Sequence, residues 1–101
     1  MASKKRDEQL DLIFEALKHQ TRREILFALN RAGGSMMAGE IASRYSYSWP
    51  TISRHLRVLK DANLVTVTRE AQSLKYELNV SAMNELWKNW FSHFEPIGKK
   101  S

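Results

Sequence analysis

The stretch SYSWPTISRHLRVLKDANLV, Ser46 to Val65, decides how the rest of the chain is read. Ile52, Leu56 and Leu59 recur at i, i+4 and i+7, the spacing of one buried helical face. At about 100° per residue, Arg54, Arg57 and Asp61 fall opposite that face, and Thr51, Ser53 and His55 lie on its flanks. Ser48 is a good N-cap, and Pro50 sits in the first turn, where no intrahelical N–H is required. The helix runs to about Ala62, with Asn63 as its left-handed terminator. Between Arg44 and Lys60 there are four Lys/Arg and no acid. A helix that packs on one side and shows cations on the other points to a phosphate-rich partner.

Working outward toward the N-terminus, Tyr45 to Tyr47 form a turn. A short helix precedes it from about Met37 to Arg44, with Ile41 and Ala42 inward and Glu40 in the first turn, where the macrodipole favours an acid. Gly33-Gly34 end the helix before that, because glycine accepts the left-handed backbone of a C-cap. This helix carries Ile25, Leu26 and Leu29 toward the core. Thr21 and Glu24 make a T-x-x-E capping box at its start. Leu10, Ile13, Phe14 and Leu17 mark a first helix over residues 8 to 17. Residues 1 to 8 read as a flexible tail, whose Lys4, Lys5 and Arg6 could touch phosphate or do nothing.

Toward the C-terminus, LVTVT (64 to 68) and LKYEL (74 to 78) alternate as strands, and the polar EAQS between them reads as a hairpin connection. Ser81 caps a last helix in which Met83, Trp87, Trp90 and Phe94 repeat at helical spacing, with Leu86 and Phe91 beside them. Pro96 ends it, leaving 96 to 101 as a C-terminal tail. The order α-α-α-α-β-β-α, with two short helices joined by a tight turn ahead of a hairpin, is mainly α with a small β-hairpin. That is a winged helix-turn-helix, expected to occupy residues 9 to 95 as one domain. The fourth helix would enter the major groove and the hairpin would lie along the backbone or minor groove.

Composition narrows the function. A chain of 101 residues supports one small core and no large active-site cleft. There is no cysteine, which removes disulfides, thiolate metal sites and thiol redox switches. No apolar run approaches the roughly 18 residues of a spanning helix, and MASKKRDEQ lacks the apolar segment of a signal peptide. No membrane partner and a cytoplasmic location are therefore expected. Net charge of +5 fits nucleic-acid or acidic-membrane binding without choosing between them. An enzyme is disfavoured, because clustered histidines, a glycine-rich phosphate loop and a carboxylate pair enclosed by apolar positions are all missing.

Three spaced elements of the sequence resemble the ArsR family of bacterial transcriptional repressors. LKHQTRREIL at 17 to 26 is similar to the family's L-x-D-P-T-R-R-x-I-L. AGEIA at 38 to 42 follows it. SWPTISRHLRVLKDANLV at 48 to 65 is similar to S-x-P-T-V-S-x-H-L-x-V-L-x-x-A-G-L-V. The resemblance covers about residues 10 to 94. It implies a homodimer built from the first and last helices, with two recognition helices presented to an inverted-repeat operator in nucleoid DNA. The aromatic stripe of the last helix agrees, being wide for so short a monomer to cover. Leu10, Phe14, Met83, Trp87, Trp90 and Phe94 are its expected dimerisation residues.

The chain also departs from the family. His19-Gln20 replaces Asp-Pro ahead of the second helix, and Met37 stands where Ser or Thr caps the third. Trp49 takes a position often polar, where it would meet a thymine methyl or a sugar-phosphate edge, or fold back on Tyr45 or Tyr47; packing is slightly favoured. Arg69-Glu70-Ala71-Gln72 replaces Arg-Glu-Gly-Arg at the wing tip. Of the family's metal sites, the third-helix cysteines would fall at Met37 and Gly39. The last-helix site would start at Ser81 and Met83, leaving only His93 and Glu95. Two donors do not make an ordinary transition-metal site, so neither a metal nor another cofactor is expected. His93 is read instead as complementing a helix dipole.

On this reading the partner is double-stranded DNA. Ser48 and the first N–H groups of its helix hold a phosphate. Thr51, Ser53 and Arg54 face base edges, Arg57 and Lys60 add charge at the backbone, and Arg44 and Arg69 are further phosphate candidates. Trp49 and His55 complete the candidate DNA-binding set, His55 equally as a hydrogen-bonded residue of the helix flank. Two rivals share the sequence features: a winged helix used to dock another protein through its tryptophan stripe, and a repressor that answers to a small ligand. RNA is the weaker nucleic-acid partner, since its major groove does not admit a helix.

Overall fold

The computed structural model describes residues 4–94. The Pro96 stop, the 96 to 101 tail, Glu95 and the first three residues of the N-terminal tail lie outside them. Five α-helices and three strands follow in the order α1 (Lys4–Leu17), α2 (Gln20–Arg31), β1 (Ser35–Met37), α3 (Ala38–Ala42), α4 (Trp49–Asp61), β2 (Val65–Glu70), β3 (Ser73–Leu78) and α5 (Val80–Asn89). A 3-10 turn, Phe91–His93, closes the described chain. The architecture is the mainly helical winged helix-turn-helix expected from the sequence.

Each helix buries the face that its spacing announces. Ile13 and Ala16 of α1, Ile25 and Leu29 of α2, Ile41 of α3 and Ile52, Leu56 and Leu59 of α4 meet in one cluster, closed by Leu64, Val65, Tyr76 and Leu86. Both α2 and α4 end in a Schellman motif. In α2 the Gly34 N–H donates to the Leu29 carbonyl at 2.8 Å and the Gly33 N–H to that of Asn30 at 3.2 Å, with Gly33 at φ 91°. In α4 the same two bonds run from Leu64 to Leu59 and from Asn63 to Lys60, with Asn63 at φ 65° as expected.

Several boundaries differ from the sequence reading. Helix α1 starts at Lys4, so residues 4 to 8 are helical rather than tail. Thr21 is not the N-cap of α2. It lies inside the helix, buried, and the cap is His19, whose Nδ1 accepts the Thr21 N–H at 3.2 Å. The Glu24 carboxylate accepts from the Gln20 amide at 3.0 Å instead of closing a box. Met37 caps α3, where the Glu40 carboxylate accepts the Met37 N–H at 2.8 Å. Asn79, not Ser81, caps α5, its Oδ1 accepting from the Ala82 N–H at 3.1 Å.

The sheet has three strands, in the order β1-β3-β2, all antiparallel. The wing hairpin pairs Val65 with Leu78 through to Glu70 with Ser73, so its loop is the two residues Ala71 and Gln72 and not all of EAQS. Strand β1, read as loop and helix start in the sequence, pairs Ser35 with Glu77 and Met37 with Lys75. It moors the hairpin to the turn after α2.

Candidate nucleic-acid interface

The helix α4 is held at both ends, which fixes how it is presented. At its C-terminal end Gln9 of α1 donates its amide to the Ala62 carbonyl at 2.8 Å, and Asn79 donates to the Asn63 carbonyl at 2.9 Å. Ahead of its N-terminal end the Thr21 hydroxyl reaches the Tyr47 hydroxyl at 3.5 Å, and Tyr47 stacks on Tyr45 with ring centroids 6.0 Å apart. Burial pushes the pKa of Tyr45 above that of an ordinary phenol, with Glu24 adding to the effect, so its phenol stays neutral. Ile52, Leu56 and Leu59 anchor the inner face.

The opposite face is what the fold leaves for a partner. Arg54, Arg57 and Lys60 are exposed and spaced three residues apart, with Thr51 and Ser53 half-buried beside them. None of the three cations has an ion-pair partner among the described residues; the carboxylates that form bridges, Glu15 and Glu70, are taken by Lys18 and Lys75. Arg44, just after α3, and Arg69, in the wing, are exposed as well.

At the head of α4 Ser48 is the N-cap by backbone conformation, yet its hydroxyl meets the Thr51 hydroxyl at 3.3 Å and no backbone N–H. The Thr51 and Ile52 N–H groups go to the Ser48 carbonyl, each at 3.1 Å. Pro50 has none, so Trp49 supplies the unspent N–H of this terminus. Trp49 is 41% exposed and forms no ring pair among the described residues, whereas Tyr45 and Tyr47 stack on each other. Trp49 thus shows no stacking on the tyrosine pair and stays exposed at the head of α4.

His55 turns inward from the flank. Its ring faces His19 with centroids 4.4 Å apart, and its Nδ1 is buried without a hydrogen-bond partner, so the expected hydrogen-bonded histidine is instead a ring-packed one. Burial lowers its proton affinity below that of an ordinary imidazole, and His19, Arg22 and Arg54 add to the shift. The role of His19 has no counterpart in the sequence reading. Its signal was present, since it stands at the Asp of the family signature and an imidazole Nδ1 can accept where a carboxylate would.

The aromatic stripe of the last helix divides. Helix α5 ends at Asn89, and Trp90, at φ −133° and ψ −68°, breaks the run, so Phe94 lies beyond the helix. Trp90 packs edge-on to Phe14 of α1 at 5.8 Å and to Phe94 at 5.2 Å. Trp87, 62% exposed, and Phe94, 66% exposed, face outward, whereas Leu10 and Met83 lean on the core. His93 sits in the 3-10 turn with Nδ1 3.3 Å from the Trp90 carbonyl, not at the end of α5, where Lys88 lies.

Known proteins share this arrangement. Residues 19–67 match the family described as bacterial regulatory protein, arsR family. The transcriptional repressor SdpR of Bacillus subtilis is 39% identical over 82 residues, which span 81% of this chain and 88% of SdpR. An arsenical resistance operon repressor of Staphylococcus aureus is 30% identical over 80% of this chain and 76% of its own length. Among solved structures, an ArsR-like transcriptional regulator from Rhodococcus sp. RHA1 superposes with a TM-score of 0.74 and 27% identity, covering 85% of this chain and 79% of that one. HlyU from Vibrio cholerae does so with a TM-score of 0.66 and 28% identity, covering 88% and 99%.

Proposed function

Because this chain belongs to the arsR family of bacterial regulatory proteins and is a DNA-binding transcriptional repressor, we propose that it acts as a homodimer on an inverted-repeat operator, without a metal inducer. The observation that carries this is the outward face of α4. Three cations without ion-pair partners among the described residues, at helical spacing, sit on a helix whose other face is fully buried, so the helix presents them outward with phosphate or base edges as their natural partners.

In this reading the Trp49 N–H and the Ser48 hydroxyl meet a phosphate at the positive end of the helix. Thr51, Ser53 and Arg54 address base edges, Arg57 and Lys60 run along the backbone, and Arg44 and Arg69 flank the groove. Trp49 offers its ring to a thymine methyl or a sugar edge. The dimer forms through α1 and α5; Leu12 and Trp87 on them, and Phe91 and Phe94 just after α5, are exposed. Patches of that kind mark interfaces. No helix among the described residues is long and apolar enough to cross a membrane.

Metal independence is supported by the donor set. The chain has no cysteine, and among the described residues no three His, Asp or Glu side chains come together. A stoichiometric zinc or nickel titration that released DNA would overturn that part. The DNA reading itself is tested by footprinting on the region upstream of its own gene, followed by Arg54→Ala. Loss of a bidentate guanine contact should weaken operator binding by about 1–3 kcal/mol while leaving binding to random duplex nearly unchanged. Equal losses on both duplexes would reassign Arg54 to the phosphate backbone.

A further inference from the structure

At the seam between α2 and the recognition helix, two imidazoles face each other with no acid between them. The His19 and His55 rings are tilted by 53° with centroids 4.4 Å apart. His19 Nδ1 holds the capping bond that starts α2, accepting the Thr21 N–H at 3.2 Å. That bond needs a lone pair on Nδ1, so it exists only with a neutral ring carrying its hydrogen on Nε2. His55 Nδ1 is buried without a partner. So is Nε of Arg22, a residue only 8% exposed, whose Nη2 donates to the Glu15 carbonyl at 3.3 Å.

The charged groups acting on His55 are His19 and Arg22 from α2 and Arg54 from its own helix. Helix α1 enters through the Glu15 carbonyl on Arg22, the Glu15 carboxylate being bridged to Lys18 at 3.4 Å. Strand β2, which also packs on α4, adds no charge that acts on His55.

We propose that His19 and His55 form a proton-sensitive joint between α2 and the recognition helix, so that the repressor releases DNA on acidification through the imidazole range. The proposal rests on the DNA-binding reading above. A proton on His19 Nδ1 replaces an acceptor with a donor facing the Thr21 N–H, and sets a positive charge at the positive end of the α2 dipole. A proton on His55 adds a charge beside buried Arg22 and against the first imidazolium. Both changes loosen the contact that orients α4. The sequence makes this a property of this chain: where the family signature has Asp, an acceptor throughout this range, the chain has His19.

The sign of the effect is diagnostic. Protonating histidines elsewhere adds positive charge and tightens binding to phosphate. Weakening on acidification runs against that trend. A histidine kept neutral by the fold costs stability as pH falls below about 6.5, because the unfolded chain then takes up the proton first.

The test uses the full chain, a labelled duplex spanning the DNA upstream of its own gene, a random duplex, and thermal unfolding in the same buffers at fixed ionic strength. Between about pH 7.5 and 5.5, wild-type affinity for the upstream duplex should fall several-fold. His19→Asn keeps a cap that does not titrate, and His55→Gln keeps a polar side chain without the charge. Each should remove part of the fall, and the double variant should bind at least as tightly at the lower pH as at the higher. Its Tm should exceed that of wild type only on the acid side. Should His19→Asn fold poorly, His19→Asp supplies a permanent acceptor in its place. Parallel loss of affinity in wild type and double variant, or melting curves that track each other across the pH range, overturns the joint. Equal binding of upstream and random duplexes near neutrality would instead overturn the operator reading, and the melting comparison would still decide the joint.

Discussion

Ala71 carries a left-handed backbone, φ 56°, at the tip of a two-residue hairpin loop. An L-residue there suffers a contact between its Cβ and the backbone worth about 1–2 kcal/mol, which glycine avoids. Glycine also gives the unfolded chain more freedom, which offsets about 0.4–1 kcal/mol of that relief. Ala71→Gly should therefore stabilise the protein by about 0.5–1 kcal/mol, read as a rise in denaturation midpoint with an unchanged slope. No gain would mean that the tip holds its shape without strain. Asn63, at φ 65°, shows the tolerated version of the same backbone, because asparagine visits this region more readily than alanine. Substituting Asn63→Ala should destabilise by a similar amount, about 1 kcal/mol, and would also tax the Asn79 bond to its carbonyl.

At the scale of the element, the recognition helix separates two kinds of residue that share one periodicity. Leu56 is fully buried, so Leu56→Ala should cost about 2–5 kcal/mol and lower stability and DNA binding together. Arg54→Ala should leave the melting curve almost in place, because no ion pair holds its guanidinium among the described residues. Calorimetry alongside binding distinguishes these outcomes. The same contrast explains what could be read in advance. Helix α4 was legible because its apolar spacing, its Ser48 and Pro50 start and its Asn63 stop are all local signals. Strand β1 was not, since three residues become a strand only by pairing with β3 some forty positions away. The α2 cap was missed because Thr21 and Glu24 satisfy a familiar pattern, while the group in place is an imidazole two residues earlier. The stripe 83, 87, 90, 94 fits a helical period that the backbone abandons at Trp90. Of the candidate site, the outward cations followed from the helix period, but the inward turn of His55 depends on its neighbour His19 ahead of α2, which no local pattern announces.

For the whole molecule, the question is what covers the outer surface of α5. Trp87 stands on that surface and contributes little to its own protomer, whereas Trp90 packs on Phe14. The two tryptophans should therefore respond differently. Trp87→Lys is an exposed substitution, expected to change protomer stability by no more than about 0.5 kcal/mol. In the proposed dimer it would, however, put an ammonium group into the interface between two copies, where an uncompensated buried charge is strongly unfavourable. Trp90→Ala removes an internal aromatic contact and should lower protomer stability before it affects assembly. In sedimentation equilibrium the wild type should be a dimer and Trp87→Lys a monomer with an unchanged far-UV spectrum. Operator binding should then fall by about 100-fold or more, because a dimer gains its second half-site at high effective concentration and a monomer does not. Binding to random duplex, which in the proposed reading draws on the cations of each α4 separately, should fall far less. A Trp87→Lys chain that remained dimeric would move the interface off α5, and with it the spacing of the two recognition helices and of the half-sites they could reach.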